Sequence, residues 1–414
     1  MTKKKEVVGI LVGGGPAPGI NGVISAVALE AINQGKKVIG IYDGFRGLLQ
    51  DPVDCIEFDI DDVSKLHMKG GSTLRTSREN PTKEHSKMAK VIENLKKLEI
   101  KYLVTIGGDD TAFSASRVAA AAGGDIRVAH VPKTIDNDLP LPGMASTFGF
   151  QTARHVGVNL MANLMEDSRT TSRWYIIVAM GRKAGHLALG IGKAAGATCT
   201  IIAEEFKGDV IHLRDVCDII EGSMIKRKAR GKINGVVVLA EGLAERFNPD
   251  DLEDLKNVER DEHGHIRLAE VNLGKVVKDE LQRRFLEMGE KITMVTKDIG
   301  YELRCAPPIP FDAEYTRDLG YGAITFLLNG GTDALITMHE QKLIPIPFAD
   351  MIDPMTGKTE VRMVDVDTES YAVARKYMIR LGEGDFNAGD WTARLAEVAH
   401  MSVDAFKERF GHLK

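Results

Sequence analysis

Short apolar runs alternate along the chain with glycine-rich turns and with segments whose apolar residues recur at helical spacing. The first cycle consists of EVVGILV at 6–12, GGGPAPG at 13–19 and INGVISAVALEAIN at 20–33. The first of these is a β-branched run, and the apolar residues of the third repeat with the period of a helix. The pattern therefore predicts a strand, a turn and a helix in that order.

The same cycle repeats further along the chain. Residues 85–98 have helical spacing, and the apolar runs that predict strands are KVIGIY, YLVTI, IRVAHV, WYIIVAM and INGVVVLAE. Continuous apolar strands that alternate with helices are typical of a parallel sheet covered on both faces. Ligands bind beyond the carboxyl ends of the strands in such sheets, and most glycine-rich stretches of this chain fall at those ends.

The remaining segments give a coarser picture. Residues 132–143 (PKTIDNDLPLPG) predict a crossing between two halves, and the polar, charge-dense stretch 244–270 favours a solvated helix and hairpin. Residues 306–331 predict a loop that leads into a helix. The part from about Leu343 onward predicts a strand pair and a helical tail.

Composition limits the class of protein. The 414 residues are enough for two domains or one large α/β unit, and the net charge of -5 gives no reason to expect nucleic acid or an anionic membrane as a partner. The four cysteines form no CxxC pair, which argues against a zinc knuckle and favours a reducing compartment. The basic start runs into a first strand rather than a signal peptide. No apolar run reaches the roughly 20 residues of a membrane helix, so we expect a cytoplasmic protein.

Two glycine-rich loops could bind phosphate. GGGPAPGING lies between a strand and a helix, where free amides and the helix dipole attract anions, although it matches neither common nucleotide signature. The alternative for this loop is a purely structural turn. The second loop, KGGSTLRTSRENP, carries Arg75 and Arg78, which suit bidentate phosphate contacts or are simply surface residues.

Two carboxylate-bearing stretches follow predicted strands. In IGGDD, Asp109 suits Mg²⁺, which is often held by one or two carboxylates and by substrate phosphate oxygens. The alternative is that it caps a helix beginning near Thr111. In PKTIDND, a carboxylate could accept the proton of a sugar hydroxyl that attacks a phosphoryl group, or the stretch could be an Asp/Asn turn.

Two further strand ends carry polar side chains. AMGRKAGHLALG contains Gly181, Arg182, Lys183 and His186, and AEG contains Glu241. Each stretch alone could be structural. Together, the six stretches supply hydrogen-bond donors for phosphate, a carboxylate for a metal ion, a base and acceptors for sugar hydroxyls. This combination favours phosphoryl transfer.

The motifs GGxxAPGxN, GGS…R, GGDDT, TIDND, MGRxAGHLAL and GYELR occur in this order, and together they resemble the phosphofructokinase family. The resemblance runs from residue 7 to about residue 321. It implies an α/β fold of two Rossmann-like, three-layer halves with mostly parallel sheets and an active site in the cleft between them. It also implies phosphorylation of the 1-hydroxyl of fructose 6-phosphate.

Two positions resemble the pyrophosphate-dependent branch rather than the ATP-using members, which look like GGDGS and PGTIDND. Asp110 stands at the glycine that follows the aspartate of GGDGS, where the α-phosphate of ATP would lie, and Lys133 stands at the glycine after proline. The resemblance implies that Asp110 rejects a third phosphate. It implies that Lys133 offsets the charge of pyrophosphate and keeps Asp110 ionised. Arg75, where ATP-using members often have glycine, argues against an adenine site.

Carried over residue by residue, the resemblance implies a general base at Asp136, a Mg²⁺ ligand at Asp109 with Asp138 close by, and a catalytic role for Arg182. The donor would be bound by Gly14, Gly15, Arg78, Asp110 and Lys133. The sugar phosphate would be bound by Thr134, Ile135, Asp136, Arg173, Met180, Gly181, Arg182, Glu241, Tyr301 and Arg304. Tyr301 and Arg304 would hold its 6-phosphate, and Arg173 would reach that phosphate from a neighbouring subunit, which implies a homodimer with shared active sites.

The predicted organisation is a phosphoryl-donor half at 1–148, completed by part of 305–375, a sugar-phosphate half at 149–304 and a C-terminal helical extension at 376–414. One motif departs from the family. Tyr301 replaces the usual histidine, and Cys305 and Ala306 replace a Gly-Gly pair.

The resulting hypothesis is a reversible, Mg²⁺-dependent transfer of phosphoryl from pyrophosphate to fructose 6-phosphate, which would serve glycolysis or gluconeogenesis. One alternative is an ATP-dependent phosphofructokinase that tolerates Asp110. Another is a sugar-phosphate-binding regulatory subunit without catalysis. A dehydrogenase that uses NAD is disfavoured because the GxGxxG signature with its downstream acid is missing.

Overall fold

The computed structural model describes residues 5–251, 272–351 and 360–413, and the chain divides into two compact units. Unit 1 comprises Met1–His155 and Tyr301–Arg362, and unit 2 comprises Val156–Gly300 and Met363–Lys414. No helix in the described ranges combines the length and apolar character needed to cross a membrane.

The strands are β1 (Val7–Val12), β2 (Lys37–Ile41), β3 (Cys55–Phe58), β4 (Ile100–Gly107), β5 (Arg127–Thr134), β6 (Phe148–Gly149), β7 (Trp174–Ala179), β8 (Cys199–Ile201), β9 (Gly235–Ala240), β10 (Met294–Ile299), β11 (Ala334–His339) and β12 (Lys342–Pro347). The helices are α1 (Ile20–Asn33), α2 (Gly44–Gly47), α3 (Ile60–Val63), α4 (His85–Lys97), α5 (Asp109–Ala122), α6 (Phe150–Thr171), α7 (His186–Ala195), α8 (Leu213–Ala229), α9 (Leu243–Arg246), α10 (Leu273–Glu287), α11 (Tyr301–Arg304), α12 (Pro310–Leu328), α13 (Glu369–Tyr377), α14 (Glu383–Asn387), α15 (Asp390–Val398) and α16 (Val403–Phe410).

Unit 1 is built on a sheet with the strand order β12-β11-β5-β4-β1-β2-β3, and β6 pairs with β5. Its central strands are parallel, whereas β3 and β12 pair antiparallel at the two edges. Alternate residues of β1 enter two separate cores, so Val8 and Ile10 pack toward α1 and α12 while Val7 and Leu11 pack toward α4 and α5. Both faces of the sheet are covered, which confirms the meaning of the continuous apolar runs.

Unit 2 contains a parallel sheet with the order β10-β7-β9-β8. One face packs on α8 and α10, where Trp174 and Ile176 of the sheet meet Val216 and Val277. The other face carries α7. The predicted α/β class with mostly parallel sheets is therefore confirmed for each unit.

The structural division differs from the predicted boundaries. The chain leaves unit 1 within α6 rather than at residue 148, and the segment 132–143, predicted as a crossing, lies inside unit 1. The C-terminal helices are part of unit 2, because Phe386, Leu395, Phe406 and Phe410 form a core with Ile225 of α8. The assignment of donor and sugar-phosphate roles to the halves stays a prediction.

The C-terminal strand pair begins earlier in the chain than the sequence pattern predicts. It begins at Ala334, and its two-residue turn consists of Glu340 and Gln341, with φ of 47° and 61°. Such a turn normally carries Asn-Gly or Asp-Gly, and that signal is missing here. Most of the predicted solvated segment 244–270 lies outside the described residues.

Candidate active site

The strand order of unit 1 reverses between β1 and β4, and two glycine loops meet at this switch point. The chain runs outward from β1 through β2 to β3 and then returns to the other side of β1 as β4. The N–H of Gly13, just after β1, donates to the carbonyl of Ile106 in β4 at 2.8 Å. Crevices at such switch points are the usual ligand sites of α/β sheets.

Thr111 fills the space between the two loops. A Cβ on Gly13 would lie 2.4 Å from Thr111 Oγ1, and a Cβ on Gly107 would lie 2.3 Å from Thr111 Cβ. Only glycine allows this approach. The threonine thus fixes the start of α5 against both loops, and the amides near Gly14 and Gly108 are brought to one place.

The second Gly-Gly loop docks on the first. The N–H of Gly14 donates to the carbonyl of Ser77 at 2.8 Å, and Thr76 Oγ1 donates to the carbonyl of Gly14 at 2.6 Å. Asn21, from the same GGxxAPGxN motif, donates to the carbonyls of Lys69 and Gly70 and accepts from the N–H of Thr73. The two motifs that resemble the family therefore form one structure.

The two arginines of this second loop have different surroundings. Arg75 pairs with Asp43 at 3.0 Å and lies over the Tyr42 ring, with its guanidinium carbon 4.6 Å from the ring centroid. The geometry therefore favours a local structural contact for Arg75 over a phosphate contact. Arg78 is exposed.

Asp109 and Asp110 are the first two residues of α5, and Gly108 is the N-cap. The alternative that Asp109 caps a helix beginning near Thr111 is therefore wrong. Carboxylates in a first helical turn are stabilised by the helix dipole. Asp110 is exposed, whereas Asp109 is partly buried.

Lys133 brings a positive charge to the first glycine loop. It is only 5% exposed, and its Nζ donates to the carbonyl of Gly15. A Cβ on Gly14 would lie 3.3 Å from that Nζ. The structure thus places Gly14, Gly15 and Lys133 side by side. Because the N–H of Gly14 already donates to the Ser77 carbonyl, it is not offered to a phosphate, and this part of the predicted donor contact is wrong.

The Thr134–Asp138 stretch forms a turn at the end of β5. Thr134 Oγ1 accepts from the N–H of Asp136 at 3.0 Å, and Asn137 adopts a left-handed conformation with φ of 58°. Asp136 is nearly buried. The Asp/Asn turn considered as the alternative is therefore present, and it is the element that holds the candidate base. Arg362, which the sequence reasoning missed, hydrogen bonds to this turn.

Tyr301 and Arg304 lie in unit 1, although the sequence pattern placed them in the sugar-phosphate half. They form α11, where the guanidinium of Arg304 lies 4.7 Å from the centroid of the exposed Tyr301 ring. The guanidinium carbon of Arg304 would lie 3.8 Å from a Cβ on Gly15. The structure therefore brings Arg304 to the glycine loop of the same unit.

In unit 2, Glu241 organises the loop after β7. Its Oε2 accepts from the N–H groups of Gly181 and Arg182, each at 3.1 Å. Arg182 has a φ of 50°, which is strained for a residue with a side chain. The N–H of Met180 donates to the carbonyl of Ile299. Met180, Gly181, Arg182 and Glu241 therefore form a second cluster at strand carboxyl ends.

Arg173 is separate from that cluster. It directly precedes β7, whereas Met180 directly follows this strand. A rise of about 3.3 Å per residue puts the two more than about 20 Å apart along the strand direction. Within one chain, the structure does not bring Arg173 together with the other predicted ligands of unit 2.

His130 connects β4 and β5, the strands that precede Asp109 and Asp136. Its Nε2 lies 3.0 Å from the carbonyl of Gly107, and its Nδ1 lies 2.8 Å from Thr105 Oγ1. Because a carbonyl only accepts, Nε2 carries the proton, and Nδ1 accepts from the threonine. Burial lowers the pKa of His130 to about 3, and the charge of Lys133 acts in the same direction. The imidazole is therefore neutral.

The carboxylates of the described residues offer an incomplete metal site. Over these ranges, no group of three or more His, Cys, Asp or Glu side chains could hold a metal ion. Mg²⁺, however, commonly uses one or two carboxylates and completes its octahedron with phosphate oxygens and water. Asp109, at a helix start beside the glycine loops, fits this partial donor set.

The fold and the site define an α/β protein whose glycine loops meet at a topological switch point. The sequence pattern of the phosphofructokinase family matches residues 7–327, and the chain belongs to this family.

The chain is similar in sequence to two curated enzymes and in fold to a solved structure. It is 54% identical to a pyrophosphate–fructose 6-phosphate 1-phosphotransferase of Thermotoga maritima, covering 98% of each chain. It is 52% identical to an enzyme of the same name from Naegleria fowleri, covering 99% of this chain and 96% of that one. The fold matches a phosphofructokinase structure from Saccharomyces cerevisiae with a TM-score of 0.68 at 20% identity, over 99% of this chain and 50% of that chain. The chain thus spans about half the length of the yeast protein.

We expect His130 to make the protein less stable as the pH falls. The folded-state pKa of about 3 lies below the ordinary value of 6.5, so the unfolded chain takes up the proton first. The contribution of the neutral imidazole to the free energy of unfolding is present above pH 6.5 and is lost below it. Between pH 7 and pH 5 the loss is ~2 kcal/mol. Urea unfolding of the wild type and of His130→Gln at both pH values measures it.

Between pH 7 and pH 5, the free energy of unfolding of His130→Gln should fall by ~2 kcal/mol less than that of the wild type. His85→Gln, at an exposed position, is the control. Equal losses for the wild type and His130→Gln would contradict a buried neutral imidazole.

Proposed function

We propose that this protein catalyses the reversible transfer of phosphoryl from pyrophosphate to the 1-hydroxyl of fructose 6-phosphate, giving fructose 1,6-bisphosphate and orthophosphate. The observation that carries the proposal is the buried Lys133 ammonium at the Gly13–Gly15 loop, next to a helix that begins with Asp109 and Asp110. The names of two relatives that are more than half identical over nearly the whole chain support the same activity.

The donor site suits a small, highly charged molecule. Pyrophosphate has no nucleoside through which it could be oriented, so fixed charges and amides must hold it. Lys133 and the amide of Gly15 supply attraction, with Arg78 as a further cation. The N–H of Gly14 instead donates to the carbonyl of Ser77, so Gly14 shapes the loop. Asp110 supplies repulsion where a longer polyphosphate would extend. Attraction and repulsion together would select the donor by length.

The base role falls to Asp136. Its carboxylate would accept the proton of the 1-hydroxyl while that oxygen attacks the nearer phosphorus of pyrophosphate. The bond to the bridging oxygen breaks, and Lys133 stabilises the charge on the departing orthophosphate. In the reverse direction, Asp136 returns the proton to the sugar oxygen. Arg182 would stabilise the phosphoryl group in transfer.

Asp109 would hold Mg²⁺, with Asp138 close by, and the bound ion would neutralise charge on the phosphate oxygens. The sugar phosphate would contact Thr134, Ile135, Met180, Gly181 and Glu241, and its 6-phosphate would contact Tyr301 and Arg304. Because Arg173 lies at the opposite end of β7 from Arg182, we assign it to the site of a neighbouring subunit in a homodimer. The proposed setting is the cytoplasm.

A donor panel tests the function. Purified protein is mixed with Mg²⁺ and fructose 6-phosphate, and fructose 1,6-bisphosphate is measured with pyrophosphate, ATP or ADP as donor. We expect turnover with pyrophosphate alone. Turnover with ATP alone would leave the base in place but overturn the donor assignment, and sugar binding without turnover would favour a regulatory subunit.

Replacement of the base should affect the chemical step. Asp136→Asn keeps the size of the side chain but cannot accept the proton, so we expect kcat to fall by about 10²–10⁴-fold. The KM for fructose 6-phosphate should stay near the wild-type value. Asp125→Asn is the control, because it makes the same replacement at an exposed position distant from the motif, and its kcat should stay at the wild-type value. A raised KM with unchanged kcat would contradict the base role.

Replacement of the repulsive carboxylate should relax donor choice. Asp110→Gly removes a charge and leaves the backbone of α5 able to form, so we expect weak use of ATP and poorer use of pyrophosphate. Initial rates with each donor give the ratio of the two kcat/KM values. If ATP is still refused, exclusion by Asp110 is wrong or incomplete.

A further inference from the structure

Arg362 clamps the turn that carries the candidate base. Its Nε and Nη2 both donate to the carbonyl of Asn137, at 3.1 Å and 2.9 Å, and Nη1 donates to the carbonyl of Ala145 at 2.9 Å. Nη2 also donates to Asn137 Oδ1 at 2.6 Å. The backbone takes part as well, because the N–H of Arg362 donates to the carbonyl of Asp138 at 2.7 Å.

These contacts converge on the residue that gives the turn its shape. Asn137 follows Asp136 directly and is held at φ of 58°, a conformation that costs free energy for a residue with a side chain. Its Oδ1 also accepts from the N–H of Thr147 at 3.0 Å. Arg362 therefore ties together both ends of the loop between residues 137 and 147.

An arginine suits this place because its planar fork can reach several acceptors at fixed angles. A lysine would supply charge without the same geometry. Electrostatic attraction contributes as well. Burial lowers the pKa of Arg362, whereas the negative charge of Asp138 raises it because that charge favours the protonated guanidinium. The side chain thus hydrogen bonds to the backbone of the motif and is attracted by one of its carboxylates.

The clamp comes from a segment that the family pattern does not include. That pattern ends at residue 327, whereas Arg362 is reached only after the strand pair β11–β12. The core motifs supply the turn, and a later part of unit 1 supplies the residue that holds it.

We propose that Arg362 is a positioning residue that fixes the Thr134–Asp138 turn and thereby aims the Asp136 carboxylate at the substrate hydroxyl. The inference rests on the proposed function for its kinetic consequence and on geometry alone for the clamp. A displacement of about 1 Å at a reacting group can cost ~10²-fold in rate. Substrate contacts made elsewhere would be little affected.

The kinetic test compares Arg362→Met and Arg362→Lys with the wild type, with pyrophosphate and fructose 6-phosphate as substrates. We expect kcat to fall ~100-fold in the methionine variant and less in the lysine variant, with both KM values within about threefold of wild type. In Arg362→Ala, added guanidinium ion should restore part of kcat. Arg127→Met is the matched control. Arg127 lies at the start of β5, the opposite end of that strand from the turn, and its side chain also donates to a backbone carbonyl, that of Leu327.

The structural test is amide hydrogen exchange followed by mass spectrometry. Peptides that cover residues 137–147 should exchange faster in Arg362→Met than in the wild type, and the control Arg127→Met should leave them unchanged. If the methionine variant does not fold, the lysine variant and Asn137→Gly, which keeps the backbone conformation but removes one acceptor, serve in its place.

The two tests separate the inference from the proposed function. Wild-type protein that turns over no donor defeats the proposed function, and the exchange experiment still decides whether the clamp exists. Unchanged exchange in the Arg362 variants overturns the clamp. Faster exchange with a kcat within about twofold of the Arg127→Met control overturns the positioning role, as does a change confined to KM.

Discussion

The contact of Thr111 with the backbone of Gly13 and Gly107 is the constraint on which the arrangement of the glycine loops, and with it the proposed donor site, depends. It closes the space between β1 and β4 at the point where the strand order reverses. Because a side chain on either glycine would collide with the threonine, the loops can meet only as they do. The start of α5, with its two carboxylates, is fixed by the same contact.

The carboxylates at an anion-welcoming loop are explained by the cation beside them. Amides and a helix start attract phosphate, and two aspartates alone would oppose it. Lys133, on the neighbouring strand, reaches the first loop and restores a positive charge. The charges at these loops are therefore mixed. In the proposed donor site they would favour an anion of limited length and would leave one carboxylate for a metal ion.

Each unit contains one cluster of polar groups at the carboxyl ends of its strands. In unit 1, backbone groups and the buried lysine dominate, and Arg304 joins them from α11. In unit 2, a single glutamate oxygen shapes the loop that carries Arg182. Both clusters follow from the same property of parallel sheets, which present all loops after the strands at one edge.

Local sequence signals were enough to predict the α/β class, the bounds of α1 and the stretches rich in glycine and aspartate, because apolar periodicity and turn chemistry act over a few residues. They placed Gly14, Gly15, Asp109 and Lys133 at strand ends, and the structure brings their loops together. Three features became visible only in the folded chain: Gly108 is the N-cap of α5, Arg304 lies beside Gly15, and the C-terminal helices complete unit 2. Arg362 shows the reason: 225 residues separate it from Asn137, and no local pattern records which distant side chain a turn will meet.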